Sequence, residues 1–272
     1  MENKEYVKIV LDFLKEAGEI ALKYQYTDLK NNLKSDTSIV TEADLMISKL
    51  FKDRIKPFLS TGKHCLLDEE SISSKADIFN SKYEYLWTID PIDGTTTYFH
   101  GFPNWSIAVG LYRNLEPVLG FIYMPAMKEL IYTDGNKTYY INNFATVNQT
   151  ECEVALREKK LTNKSIILEH KLQNFDRLKY ITLDLYSAYV LAFYTFLSRS
   201  SATFLNSPEK LWDITATIPI AKSLGISIRN VKDDKPITKL SDDLINDDWR
   251  LKNVYLMCMD GYYKDIKSIL YK

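Results

Sequence analysis

Cysteine and glycine are scarce in this 272-residue chain, with three and nine copies respectively. Cys65, Cys152 and Cys258 are odd in number and far apart, which excludes a disulfide framework and any zinc-type ligand spacing and fits a reducing compartment. No basic tract is present and the net charge is −1, which argues against nucleic acid as the main ligand. Long apolar runs are missing too. The most apolar stretch, 188–197, falls short of the roughly 20 residues that span a bilayer, so it reads as a buried helix. Glu2, Lys4, Glu5 and Lys8 interrupt any signal-like run at the N-terminus, and a cytoplasmic, membrane-free protein is expected. Acidic runs at 232–235 and 241–248 lack EF-hand spacing and read as solvated loops.

What remains is ordinary globular material, with 46% hydrophobic and 26% charged residues. Tyr6, Ile9, Val10, Phe13, Leu14, Ala17, Ile20 and Ala21 recur at helical spacing. A second helix is predicted over 41–55, then strands near 64–67, 85–89, 105–112, 117–123 and 129–133, with a turn at Asn142-Asn143. Helices followed by a meander predict an α+β lobe over 1–143. From 144 onward strands near 166–168, 201–205, 226–229 and 254–259 alternate with helices over 184–197, 210–223 and 262–271. That alternation predicts an α/β lobe over 144–272, forming one compact unit with the first.

The chemistry-bearing residues fall in four clusters. Asp90-Pro91-Ile92-Asp93-Gly94-Thr95-Thr96 follows an apolar strand. Pro91 stiffens the turn, so two carboxylates can share one small volume, and a hard cation would relieve their repulsion. The amides of Gly94, Thr95 and Thr96 could then face a phosphate. A plain structural turn has the same signature. Upstream, Thr41 and Asp44 have the spacing of a helix cap. Asp68-Glu69-Glu70 follows a short strand and reads either as a solvated acidic loop or as ligands gathered at a strand end. Asp213, after Trp212, heads an apolar helix and could be a cap or a ligand.

Taken in order, the Lys34-Ser35…Val40-Thr41-x-x-Asp44, Glu69-Glu70-Ser71, Asp90-Pro91-Ile92-Asp93-Gly94-Thr95-Thr96 and Trp212-Asp213 segments resemble the inositol monophosphatase family of metal-dependent, lithium-sensitive phosphatases. The stretches 99–109 and 116–125 look like the family as well. The resemblance implies a layered αβαβα sandwich of the inositol monophosphatase and fructose-bisphosphatase type, and Mg²⁺-dependent hydrolysis of a small phosphate monoester. By that resemblance Glu69, Asp90 and the Ile92 carbonyl would hold one Mg²⁺, and Asp90, Asp93 and Asp213 a second. A third, weaker ion would sit near Glu69, and Mn²⁺ could substitute. Thr95 would hydrogen-bond the attacking water, with Asp44 accepting the Thr95 hydroxyl proton. Glu69 would share the catalytic role. Gly94, Thr95, Thr96, Ser187, Ala188 and Asn206 would contact substrate, while Glu70 and Lys34 would support the ligands from behind. A homodimer is expected. None of this needs His64, His100 or His170, which are expected to be structural or peripheral.

Four positions depart from the family pattern: Asp68 where glycine usually precedes the Glu-Glu pair, Tyr186 in a segment usually led by glycine, Thr217 for a glycine, and Asn206 for a substrate-reading glutamate. They bear on the substrate more than on the chemistry. A bisphosphorylated nucleotide or fructose 1,6-bisphosphate is the alternative substrate, with Lys171 and Arg199 as possible extra cations. A regulatory protein that binds a partner on the same fold is the alternative from another class.

Overall fold

The computed structural model describes residues 2–25, 31–33, 39–71, 74–79, 82–156, 161–169, 181–205 and 209–268. It opens with α1 (Glu2–Gln25), the short strands β1 (Asn31–Leu33) and β2 (Ile39–Thr41), and α2 (Glu42–Leu59). The apolar stripe of α1 is buried through Tyr6, Val10, Phe13, Leu14, Ala17 and Ala21, and that of α2 through Ala43, Ile47, Phe51 and Ile55. Phe13 and Phe51 meet at 4.8 Å between the two helices. Thr41 caps α2 as its spacing predicts: Asp44 returns its carboxylate to the Thr41 amide at 2.9 Å.

A seven-stranded sheet follows, formed by β3 (His64–Asp68), β4 (Tyr85–Asp93), β5 (Ser106–Arg113), β6 (Glu116–Met124), β7 (Glu129–Thr133), β8 (Thr138–Asn142) and β9 (Thr150–Glu153), in that spatial order. Only β3 and β4 run parallel; the remaining pairs are antiparallel. The five-residue helices α3 (Lys75–Phe79) and α4 (Thr95–Phe99) flank β4 in sequence. All nine residues of β4 are buried, because both faces of the sheet are covered. Trp87 and Ile89 pack with α1 and α2, whereas Leu86 packs into the core on the opposite face. His64 is structural, as expected: its Nδ1 accepts from the Trp87 indole at 3.1 Å.

The second sheet contains β10 (Ile166–Glu169), β11 (Ile181–Leu183), β12 (Ala202–Leu205), β13 (Ser227–Asn230) and β14 (Tyr255–Cys258), in the order β11-β10-β12-β14-β13. Between the sheets lie α5 (Ala188–Phe196) and α6 (Thr217–Leu224). Val190, Phe193, Ile218 and Ile220 share one core with Ala108 and Ile122 of the large sheet and Met257 of the small one. On the outer face, α7 (Tyr263–Lys267) packs Tyr263 and Ile266 onto Ile167, Phe204 and Leu256. The layers are therefore helix, sheet, helix, sheet, helix, the sandwich expected from the resemblance. Among the described residues no helix is long and apolar enough to cross a membrane.

Two expectations change. The helix expected over 210–223 is a 3₁₀ turn, Leu211–Asp213, followed by α6, and the helix expected from 184 begins at Ala188 with Ser187 as its cap. Two glycines then decide how closely α6 approaches the large sheet. A Cβ on Gly120 would stand 2.2 Å from the Ala216 carbonyl oxygen, and one on Gly110 would stand 3.0 Å from that of Thr215. The segment just after Asp213 thus rests directly on sheet backbone.

Candidate active site

β4 delivers the central carboxylates. Its pairing with β5 shifts register between Asp90 and Asp93, where Pro91 has no amide to donate to the ladder. Asp90 is 2% exposed, and its Oδ1 has no hydrogen-bond partner. Burial pushes the Asp90 carboxyl well above the usual carboxylate range. The negative charges of Glu69, Asp93, Asp213 and Asp44 push it the same way. Asp213 is raised for the same reasons, by burial first and then by Asp93 and Glu69, while the Lys210 amide, 2.7 Å from its Oδ2, opposes the shift. Burial pushes Asp44 up to about 7, with Glu69 and Glu70 contributing. Carboxylates from β3's end, β4, α2 and the turn before α6 therefore share one electrostatic neighbourhood.

Asp93 is held from the second half of the chain. Its Oδ2 accepts from the Ser187 hydroxyl and from the Tyr189 amide, the latter at 2.8 Å. The Tyr189 hydroxyl in turn donates to the Trp212 carbonyl and accepts from the Ala216 amide at 3.1 Å, bracketing Asp213. Tyr189 thus supports both aspartates, a role that sequence reasoning missed. Its one signal was a polar hydroxyl inside an otherwise apolar run.

Beyond Asp93 the chain turns through Gly94 at φ +83°, a conformation natural to glycine, and enters α4. The first helical bond runs from the Tyr98 amide to the Gly94 carbonyl at 2.9 Å, so the amides of Gly94, Thr95 and Thr96 precede the helix's own ladder. Thr95 is half-buried and Thr96 exposed.

Several expected residues stand differently. The Thr95 hydroxyl donates to the Ile92 carbonyl at 3.0 Å, and having one proton it does not also donate to Asp44. Asp44 Oδ2 instead accepts the Thr41 hydroxyl and amide. Ser187 and Ala188, expected on the substrate wall, are buried, and the Ser187 hydroxyl is turned to Asp93. Asp68 does not add a loose charge beside Glu69. Ser48 and Ser71 donate hydroxyls to its Oδ2, and the Glu70 amide donates to Oδ1 at 3.0 Å. Arg199 is committed elsewhere, 3.5 Å from Glu129 and over the Tyr194 ring at 5.3 Å. Lys34, His170, Lys171 and Asn206 lie outside the described residues.

Among the described residues no three acidic, histidine or cysteine side chains are already gathered closely enough to hold a metal ion. The donor set nevertheless suits a hard divalent cation: an orphaned buried oxygen on Asp90, mutually repelling carboxylates around it, and acceptors that are all oxygen.

Comparison with known proteins agrees with the geometry. The family model described as "Inositol monophosphatase family" matches residues 2–258. Inositol monophosphatase 1 of Solanum lycopersicum is 31% identical over 139 residues, 51% of this chain and 50% of that protein. The Thermotoga maritima fructose-1,6-bisphosphatase/inositol-1-monophosphatase is 36% identical over 104 residues, 38% of this chain and 37% of that one. At this level the chain spans about half the length, or less, of the curated relatives it matches. A solved IMPase/NADP phosphatase, complexed with Mg²⁺ and phosphate, superposes with a TM-score of 0.78 over 99% of this chain and 96% of its own, at 16% identity. That likeness is one of fold. With a family model covering nearly the whole chain and the four motifs in order, this protein belongs to the inositol monophosphatase family.

Proposed function

We propose that the chain is a Mg²⁺-dependent phosphoric monoester hydrolase that acts on a small phosphorylated substrate. The observation that carries this reading is Asp90: a buried carboxylate with an orphaned oxygen, destabilised as an anion by four further acids from four separate segments. Stability alone gives no reason to gather such charge, whereas a divalent cation neutralises it.

In this reading Glu69, Asp90 and the Ile92 carbonyl hold one ion, and Asp90, Asp93 and Asp213 a second. A third near Glu69 completes the resemblance. When bound, such ions make water a competent nucleophile near neutral pH and neutralise the phosphoryl oxygens. The chain's own groups do the rest. The amides of Gly94, Thr95 and Thr96 orient the phosphate. The Thr95 hydroxyl stands beside the Ile92 carbonyl, where it can orient the attacking water. Asp44, buried and within electrostatic reach of Glu69 and Glu70, is the candidate proton acceptor of this reading. Residues 1–143 would supply most of the metal ligands, and 144–272 Asp213 and the Ser187–Tyr189 support.

A bisphosphate is the second reading. It is favoured by the likeness to the Thermotoga maritima fructose-1,6-bisphosphatase/inositol-1-monophosphatase, and weakened because Arg199 is engaged with Glu129. The test is phosphate release from inositol 1-phosphate, glycerol 2-phosphate, fructose 1,6-bisphosphate and a nucleoside bisphosphate with Mg²⁺, with EDTA and Li⁺ as controls. Release from monoesters that EDTA abolishes supports the reading. Release from none of the four overturns it.

A further inference from the structure

Asp68 is the last residue of β3, and Glu69, a proposed metal ligand, follows it directly. Asp68 stands outside the left-handed region, so the path of the chain does not require the glycine that the family pattern suggests here. Its side chain is buried and wraps the residues that come next. Oδ1 accepts from the Glu70 amide at 3.0 Å, and Oδ2 from the Ser71 hydroxyl at 2.9 Å. The Asp68 carbonyl accepts from the Ser71 amide at 3.2 Å. Side chain and backbone together therefore close a four-residue turn around Glu69.

One further bond leaves the turn. The Ser48 hydroxyl, on α2, donates to Asp68 Oδ2. Ser48 stands four residues after Asp44, so the two share a face of α2, and both are buried. Asp44 in turn lies within electrostatic reach of Glu69 and Glu70. The Ser48–Asp68 bond thus ties the strand end that carries Glu69 to the helix that carries Asp44. With glycine at 68 the side-chain bonds would vanish and the backbone bond from the Ser71 amide would remain. A ligand already held in place gives up less freedom when an ion arrives, and the ion binds more tightly.

We propose that Asp68 is a positioning residue: together with Ser48 it fixes the Glu69 turn against α2 before the metal binds, and so sets the affinity of the site for Mg²⁺ rather than its chemistry. This inference rests on the metal-dependent phosphatase reading of the same site.

The test is calorimetric Mg²⁺ titration of wild type, Asp68→Gly, Asp68→Asn and Ser48→Ala, with melts in EDTA and phosphate release measured against Mg²⁺ concentration. In Asp68→Gly the Kd for Mg²⁺ rises about tenfold, the lower range for removing a group that supports a metal ligand from behind. Half-maximal release moves to higher Mg²⁺ by the same factor, while the rate at saturating Mg²⁺ stays close to wild type. Ser48→Ala removes the tie to α2 alone and moves both quantities in the same direction by less, so it carries the test if Asp68→Gly does not fold. Asp68→Asn keeps an acceptor for the Glu70 amide and falls between wild type and Asp68→Gly. Variants that melt lower in EDTA yet bind Mg²⁺ as wild type does overturn the inference, since Asp68 would then serve the fold alone. A lowered rate at saturating Mg²⁺ with unchanged Kd also overturns it. Both results leave the phosphatase reading standing. Wild type that binds no Mg²⁺ overturns the inference and the metal-dependent reading together.

Discussion

The Tyr189 amide at the start of α5 donates to Asp93 Oδ2 at the end of β4, 2.8 Å away and 96 residues earlier in the chain. With the Ser187 hydroxyl on the same oxygen, the opening turn of α5 caps a proposed metal ligand that belongs to the other sheet. The helix N-terminus favours the carboxylate, and the carboxylate satisfies donors that would otherwise be buried without a partner. Packing of the two sheets and geometry of the site are therefore one problem.

Asp93→Asn separates charge from shape. The amide oxygen can still accept from Ser187 and Tyr189, so the metal-free protein should melt within a few degrees of wild type, or higher because repulsion with Asp90 and Asp213 is relieved. Phosphate release should fall by at least about a hundredfold. Asp93→Ala strands both donors and should cost about 1–3 kcal/mol. Thermal melts in EDTA alongside assays in Mg²⁺ distinguish the two. Full activity in Asp93→Asn would reduce Asp93 to a helix cap.

Asp44 has two possible duties, and one substitution divides them. Asp44→Asn can keep an acceptor for Thr41, so as a cap alone it costs at most about 1 kcal/mol. As the proton acceptor it should lower kcat by more than about tenfold with KM little changed. Turnover equal to wild type would remove Asp44 from the chemistry.

The raised carboxyls set a pH dependence for the metal-free protein. Asp44, Asp90 and Asp213 each bind a proton more tightly folded than unfolded, Asp44 up to about 7. The folded state thus holds more protons, and stability falls as pH rises from about 4 to about 7. Melting in EDTA should move downward across that window. Saturating Mg²⁺ at pH 7 should restore stability, by about 2.7 kcal/mol at a concentration 100 times its Kd. A flat profile in EDTA would mean that these acids are not gathered as described.

Gly120→Ala tests the seat of α6. Its Cβ would meet the Ala216 carbonyl at 2.2 Å, so the Asp213 segment must shift. The expected cost is about 1–3 kcal/mol, accompanied by weaker Mg²⁺ binding in calorimetry. Stability unchanged from wild type would show that the close approach is not required.

The parts of this molecule legible in its sequence are those with periodicity or a short motif. The stripes of α1 and α2, the Thr41–Asp44 cap and strands β3 to β7 follow from residue patterns, whereas β1 and β2 do not. The nearness of Asp90 to Glu69 and Asp213, felt electrostatically, was implied only by the family resemblance that the four motifs carry. What was hidden lacks such a signal. β9 is exposed at every position and has no alternation to read. α3 and α4 are five residues long, too short for a stripe. The apolar period runs unbroken from Leu211 through Ile220, which concealed the 3₁₀ turn that carries Asp213. The Tyr189–Asp93 bond uses a backbone amide, which no residue type announces. Asp68 was visible as an oddity, but its three donors come from α2 and from the turn that follows, and only folding brings them together.

In the proposed reading Asp90 anchors a divalent-metal site on which phosphate release depends. The most direct measurement is phosphate release from a monoester against Mg²⁺ concentration, for wild type and Asp90→Asn, with calorimetric Mg²⁺ titration of both. Wild type should show saturable Mg²⁺ dependence abolished by EDTA, and Asp90→Asn should lose both the titration and at least about a hundredfold of the activity. Activity that survives EDTA, or an Asp90→Asn protein that binds Mg²⁺ and turns over like wild type, would contradict it.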